Sequence, residues 1–134
     1  MNVQKREQVP LKTSNDVVLA RQKVRQWAVE LRFGLVDQTK LVTAASELAR
    51  NAFDHGQGGE MTLEVIGEGA KSGLRLVFED NGPGIPDIDL ALKDGFTSGS
   101  GMGLGLGGSK RLVHEFSIES EVGKGTRVTI VRWR

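Results

Sequence analysis

Residues Gly99 to Leu112 read GSGMGLGLGGSKRL, with six glycines in the first ten positions. A run of this kind cannot lie inside a helix or a strand without a large entropic penalty. The regular elements must therefore be found on either side of it. Glycines that lead into a helix leave unpaired N–H groups at the positive end of the helix dipole, where a phosphate is well accommodated. A flexible loop with no ligand is the plain alternative.

Three nucleotide-binding patterns fail on inspection. Gly103-x-Gly105-x-x-Gly108 has the letters of the dinucleotide fingerprint, but DGFTSGSGM precedes it where a strand is required. A P-loop needs Gly-Lys-Ser/Thr, and this chain has Gly108-Ser109-Lys110. A eukaryotic-type kinase loop would need later HRD and DFG segments, and neither is present.

The remaining chain supplies one ordinary core. Its 134 residues are 38% hydrophobic and suggest a single domain over residues 1–134. Eighteen basic and 17 acidic residues leave a net charge of +1. This gives no electrostatic case for nucleic acid or an anionic membrane. The absence of cysteine excludes disulfides and thiolate zinc sites and suits a cytoplasmic protein. No apolar run approaches the ~20 residues of a membrane span.

Gln8 to Lys12 reads as a short strand. Ser14, Asn15 or Asp16 can cap a helix with Val17, Ala20, Val24, Trp27, Ala28 and Leu31 inward, and Gly34 is its expected stop. Asp37 is expected to cap a second helix with Leu41, Ala45, Leu48 and Ala52 inward, ending at Gly56. Met61-Leu63-Val65 and Leu74-Leu76-Phe78 alternate as strands, and NGPGIP stops the second. Asp87 to Lys93 suggests a short helix. The glycine run leads into a further helix that reaches His114. Phe116-Ile118-Ser120 and Val128-Ile130-Val131, joined by VGKGT, complete a β-α-α-β-β-(α)-α-β-β order. That order implies an α+β two-layer sandwich, its mixed and mostly antiparallel sheet carrying helices on one face.

Two further constellations lie in this framework. In SELARNAFDHG, Glu47 and Asn51 are four apart, on one helical face beside the apolar stripe. A solvated polar face is one reading. The other is a carboxylate and an amide that can hold a hydrated cation, since magnesium takes few protein oxygens and keeps water and phosphates. In VFEDNGPGIPD, Asp80 ends a strand before two glycines and two prolines. Asx-turn chemistry explains Asn81 and Gly82. A carboxylate over a bare backbone floor could also accept a hydrogen bond from the exocyclic amine of adenine.

Together the three segments resemble the ATP-binding motifs of the superfamily containing DNA gyrase, the sensor histidine kinases and MutL. Glu47…Asn51 resembles its N box, Asp80-x-Gly82-x-Gly84 its first glycine box and Gly101-x-Gly103-x-Gly105 its second. The resemblance covers roughly residues 10 to 134 and leaves no room for a second domain. Within the superfamily, the DNGPGIPD and KRLVHEFSIES segments are most similar to the bacterial switch-protein and anti-sigma serine kinases, the stressosome kinases in particular. Neither a phosphoacceptor-histidine hairpin before the domain nor a transducer domain after it is expected.

The resemblance implies a Bergerat-type fold and an ATP- and magnesium-dependent protein-serine/threonine kinase. It implies Glu47 as the base at the acceptor hydroxyl and Asn51 as the magnesium ligand. Asp80 would bind the adenine amine with Thr126 in support through water, Gly82 and Gly84 would let the base approach the backbone, and Ile85 would pack on the ring. Gly101, Gly103 and Gly105 would wrap the phosphates. No basic residue stands between Lys93 and Lys110. Magnesium, backbone N–H groups and Lys110 would then have to supply the positive charge that phosphoryl transfer requires. The implied partners are STAS-domain proteins and, after release, a PP2C-type phosphatase. An anti-sigma factor that binds a sigma factor directly, or a catalytically weak ATP-dependent binding module, are the alternatives.

Overall fold

The structure, a computed structural model, describes residues 2–54, 58–92 and 105–134. Five strands form one sheet: β1 (Asn2–Leu11), β2 (Gly59–Glu68), β3 (Lys71–Asp80), β4 (Glu115–Glu121) and β5 (Gly125–Trp133). Their spatial order is β1-β2-β3-β5-β4, and all four pairings are antiparallel. The helices are α1 (Ser14–Glu30), α2 (Leu35–Asp54), the single turn α3 (Ile88–Ala91) and α4 (Gly105–Arg111). Helices α1 and α2 pack together and against the first three strands, and α4 packs against α2.

The core follows from the two periodicities of the sequence. Leu41, Ala45, Leu48 and Ala52 of α2 face Met61 and Leu63 of β2, Leu74, Leu76 and Phe78 of β3, and Val128 and Ile130 of β5. On the opposite sheet face Ile66, Val77 and Val131 are buried apart from this core. Glu64 on that face is held by Arg75 at 2.6 Å and Arg6 at 3.9 Å. One face is thus closed by helices and the other by long polar side chains over a small apolar strip.

Several local expectations are corrected. Strand β1 begins at Asn2 rather than Gln8, because it is an edge strand with little apolar alternation to betray it. Its Lys5 lies 4.2 Å from the Trp27 ring centroid and its Glu7 pairs with Lys23 at 2.7 Å, so the first half of the strand meets α1 through polar residues while Val9 and Leu11 enter the core. The α1 cap is Thr13, one residue earlier than expected. The Thr13 hydroxyl accepts from Asp16 N–H, and Asp16 accepts from Thr13 N–H, a reciprocal capping box that outweighs the other candidates. Helix α1 stops at a Leu31 C-cap, and Arg32, in the left-handed region at φ 64°, turns the chain before Gly34 is reached. Helix α4 ends at Arg111 rather than His114, whose N–H already bonds Val131 across the sheet. The expected stop at Gly56 lies outside the described residues.

Asp37 does not cap α2, which starts at Leu35. Its carboxylate instead accepts from Arg132 at 2.5 Å, while the same guanidinium donates to the carbonyl of Leu112 at 2.9 Å. One side chain of β5 therefore ties the start of α2 to the end of α4. The hydrogen bond from Arg132, reinforced by its charge, holds the Asp37 carboxyl below its ordinary value of 3.8. A carboxyl with a depressed folded pKa adds stability that is present above the unfolded value and lost as pH falls through the folded one. The urea midpoint of the parent should therefore exceed that of Asp37→Asn by a constant margin above about pH 5, and the margin should close below about pH 4. A margin independent of pH would show that the ion pair does not contribute.

Candidate active site

Strand β3 ends at Asp80 because Asn81, Gly82 and Pro83 cannot extend it. Asp80 Oδ1 accepts from Gly82 N–H at 2.9 Å, the expected Asx turn. No other hydrogen bond or ion pair engages this carboxylate among the described residues. Across the sheet Asp80 is the cross-strand partner of Thr126, which places both side chains on the same sheet face.

The segment after Asp80 is fastened to the β4–β5 turn. Ile85 N–H donates to Ser120 Oγ at 2.8 Å, and Gly123 N–H donates to the Pro83 carbonyl at 2.8 Å. Gly84 has φ 79°, and a Cβ there would lie 2.3 Å from the carbonyl oxygen of Glu121. Only glycine lets the two loops approach this closely. Gly82 is buried, and Ile85 is half-buried against the core. Ser120 Oγ also lies 2.8 Å from Thr126 Oγ1 and 3.1 Å from the Gly125 carbonyl. An open recess of about 650 Å³ wraps this end of the sheet: Asp80, Ser120 and Thr126 line it from the helix-covered face and Glu60, Glu79, Glu119 and Arg127 from the other, and no described residue of α2 lines it.

Helix α2 crosses the helix-covered face of the same sheet and presents Glu47 and Asn51 one turn apart. Glu47 is 7% exposed and makes no hydrogen bond or ion pair to a described residue. Glu64, 8% exposed, is by contrast fully engaged by two arginines. The Glu47 oxygens are not among the buried side-chain atoms without a partner, so the stem is buried while the carboxylate is left free to take a proton. Asn51 is half-buried.

The fold thus brings Asp80, Gly82, Gly84, Ile85 and Thr126 into one hydrogen-bonded corner, with Glu47 and Asn51 on the helix packed over that face. Gly105 is the first residue of α4, and Lys110 is exposed in its last turn. Gly101 and Gly103 lie outside the described residues. Sequence reasoning missed Ser120, which joins Ile85 to Thr126. Its signal was present: Ser120 occupies the third inward position of the Phe116-Ile118-Ser120 alternation, where a hydroxyl needs a partner.

Residues 36–134 match the family of histidine kinase-, DNA gyrase B-, and HSP90-like ATPases. The chain is 46% identical over 125 residues to the serine/threonine-protein kinase RsbT of Bacillus subtilis, covering 93% of this chain and 94% of that protein. It is 33% identical over 124 residues to the anti-sigma F factor of Geobacillus kaustophilus, covering 86% and 82% of the two chains. Among solved structures, the RsbU and RsbW domains of a Mycobacterium tuberculosis protein superpose with a TM-score of 0.67 at 23% identity. That match covers 98% of this chain and about a third of the larger one, at 33%. The mycobacterial sensor histidine kinase MprB gives 0.56 at 22% identity, with 96% and 97% covered. No helix among the described residues is long and apolar enough to cross a membrane. With its match over residues 36–134 and its near-complete overlap with RsbT, the chain belongs to the histidine kinase-, DNA gyrase B-, and HSP90-like ATPase family, as a homologue of the RsbT serine/threonine-protein kinase.

Proposed function

We propose that this chain, acting as one domain, transfers the γ-phosphoryl group of ATP to a serine or threonine hydroxyl of a STAS-domain protein in a cytoplasmic stress-signalling partner switch. The observation that carries the reading is Glu47, a 7% exposed residue with no hydrogen bond or ion pair to a described residue, on the helix packed against the sheet face that bears Asp80. As the acceptor oxygen attacks phosphorus and the bond to the β,γ-bridging oxygen breaks, Glu47 takes the hydroxyl proton. ADP and a phosphoprotein are the products. The acceptor protein would be released by the charge it gains, about −1.5 to −2 at neutral pH. The kinase would then be free to bind a PP2C-type phosphatase.

Asp80 and Thr126 would accept from the adenine amine, with Gly82, Gly84 and Ile85 forming the floor and side of the base pocket. Gly101, Gly103 and Gly105 would surround the phosphates, with Lys110 adding charge. Asn51 would hold magnesium. The donor set suits that ion, since one amide oxygen is offered beside the place the phosphates would take. Magnesium keeps several waters and phosphate oxygens and needs no all-protein cage. When bound it would neutralise charge on the transferring group.

Incubation with γ-labelled ATP and purified STAS-domain proteins tests the reading, with transfer of label to serine or threonine expected. Asp80→Asn exchanges an acceptor-only group for one that also presents donors. ATP affinity by calorimetry should fall at least about tenfold, the lower end for an unsatisfied buried group. Unchanged affinity would remove Asp80 from the site. Similarity to anti-sigma F factors supports a second reading, in which the chain also binds a sigma factor. Co-elution with a purified sigma factor separates the two.

A further inference from the structure

We infer that Ser120 determines the nucleobase preference of this site by fixing the direction in which the Thr126 hydroxyl points; the inference rests on the reading of Asp80 as the base-recognising carboxylate. The hydrogens around Ser120 can be counted. The Ile85 backbone N–H, 2.8 Å away, can only donate, so it occupies one lone pair of Ser120 Oγ. The Gly125 carbonyl, 3.1 Å away, can only accept, so it takes the single Ser120 hydroxyl hydrogen. The remaining contact, Ser120 Oγ to Thr126 Oγ1 at 2.8 Å, then has one solution. Thr126 donates its hydrogen to the second lone pair of Ser120.

Thr126 therefore has no hydrogen left for a ligand. It offers lone pairs only, beside Asp80, its cross-strand partner on the same sheet face and itself an acceptor. A pair of acceptors fits the two hydrogens of a 6-amino group. It repels a 6-oxo group, which presents lone pairs at the same position. Without Ser120 to receive its hydrogen, Thr126 could rotate and donate to that oxygen. Ser120 never touches the base in this scheme. It is a positioning residue, and what it positions is a proton.

ATP and inosine triphosphate are the probes, because their bases differ only in the 6-amino versus 6-oxo group and the ring nitrogen beside it. The parent should prefer ATP. In Ser120→Ala the ratio of ATP to inosine triphosphate affinity, measured by calorimetry with magnesium present, should fall about tenfold, the effect of one acceptor ceasing to oppose another. Ser120→Thr keeps the hydroxyl and should restore the parental ratio. In a Thr126→Val background, Ser120→Ala should leave the ratio where Thr126→Val put it. If Ser120→Ala does not fold, Ser120→Cys replaces it, since a thiol is only a weak donor and acceptor and should lower the ratio in the same direction. A Ser120→Ala protein that loses affinity for both nucleotides equally would overturn the inference, because Ser120 would then only hold the Ile85 segment. That result leaves the assignment of Asp80 standing. Asp80→Asn binding ATP as the parent does would instead overturn the assignment, and this inference with it.

Discussion

Glu47→Gln is expected to lower phosphoryl transfer by about 10² or more, the usual contribution of a positioned general base. It should leave affinity for ATP and magnesium essentially unchanged. Glutamine keeps the length and shape of the side chain but cannot take a proton. The same substitution should leave the urea midpoint of unfolding nearly unchanged, since Glu47 has no hydrogen bond or ion pair to a described residue to lose and its oxygens are not among the buried unpartnered atoms. A loss of rate at unchanged stability marks a residue that acts in the chemistry and not in the fold. A structural glutamate would lose both together, as Glu64 should if its arginines were left unpaired. An enzyme whose transfer is unaffected by Glu47→Gln would favour the binding-module reading, because nothing else on α2 offers a carboxylate at that position.

How much of this was legible in the sequence depends on how far apart the interacting residues lie. Glu47 and Asn51 are one helical turn apart, and Asp80 closes an Asx turn with a residue two positions on, so both motifs are written in local spacing. The apolar alternation of β2 and β3 and the 3-4 stripe of α2 gave the layers for the same reason. Ser120 was invisible as a site residue because its partner Ile85 is 35 positions away and meets it only after the β4–β5 hairpin folds back. The Asp37–Arg132 pair spans 95 positions, and local rules could offer Asp37 only the role of a cap. Strand β1 was shortened in the reading because its inward residues include Lys5 and Glu7, which satisfy themselves on α1 rather than in an apolar layer. The α1 cap was misplaced within a run of four polar residues, Thr13 to Asp16, each able to cap. Only the reciprocal bonds between Thr13 and Asp16 decide it.

The glycine at position 125 should prove the least replaceable residue of the corner. Gly125 has φ 113°, which side-chain-bearing residues rarely adopt, and a Cβ there would lie 2.1 Å from the Asp80 carbonyl oxygen and 3.0 Å from Asn81 Cα. Both obstructing atoms belong to backbone, so no flexible side chain can yield. A left-handed conformation costs an L-residue about 1–2 kcal/mol, and overpacking adds about 1–3 kcal/mol. Gly125→Ala should therefore lose on the order of 3 kcal/mol of stability, read as a lower urea midpoint at unchanged slope. If the protein instead relieves the clash by moving, the part that moves is Asp80, Asn81 and the start of the loop that Ser120 and Gly123 fasten. ATP affinity should then fall by more than it does in Asp80→Asn, because the carboxylate, the Gly84 floor and the Thr126 hydroxyl are displaced together. Gly123→Ala is the control. It also has positive φ, at 84°, but a Cβ there meets nothing within 4 Å, so it should show the conformational cost alone and bind ATP nearly as the parent does. Equal effects of the two substitutions on ATP binding would mean that the close approach of β5 to Asp80 does not shape the pocket.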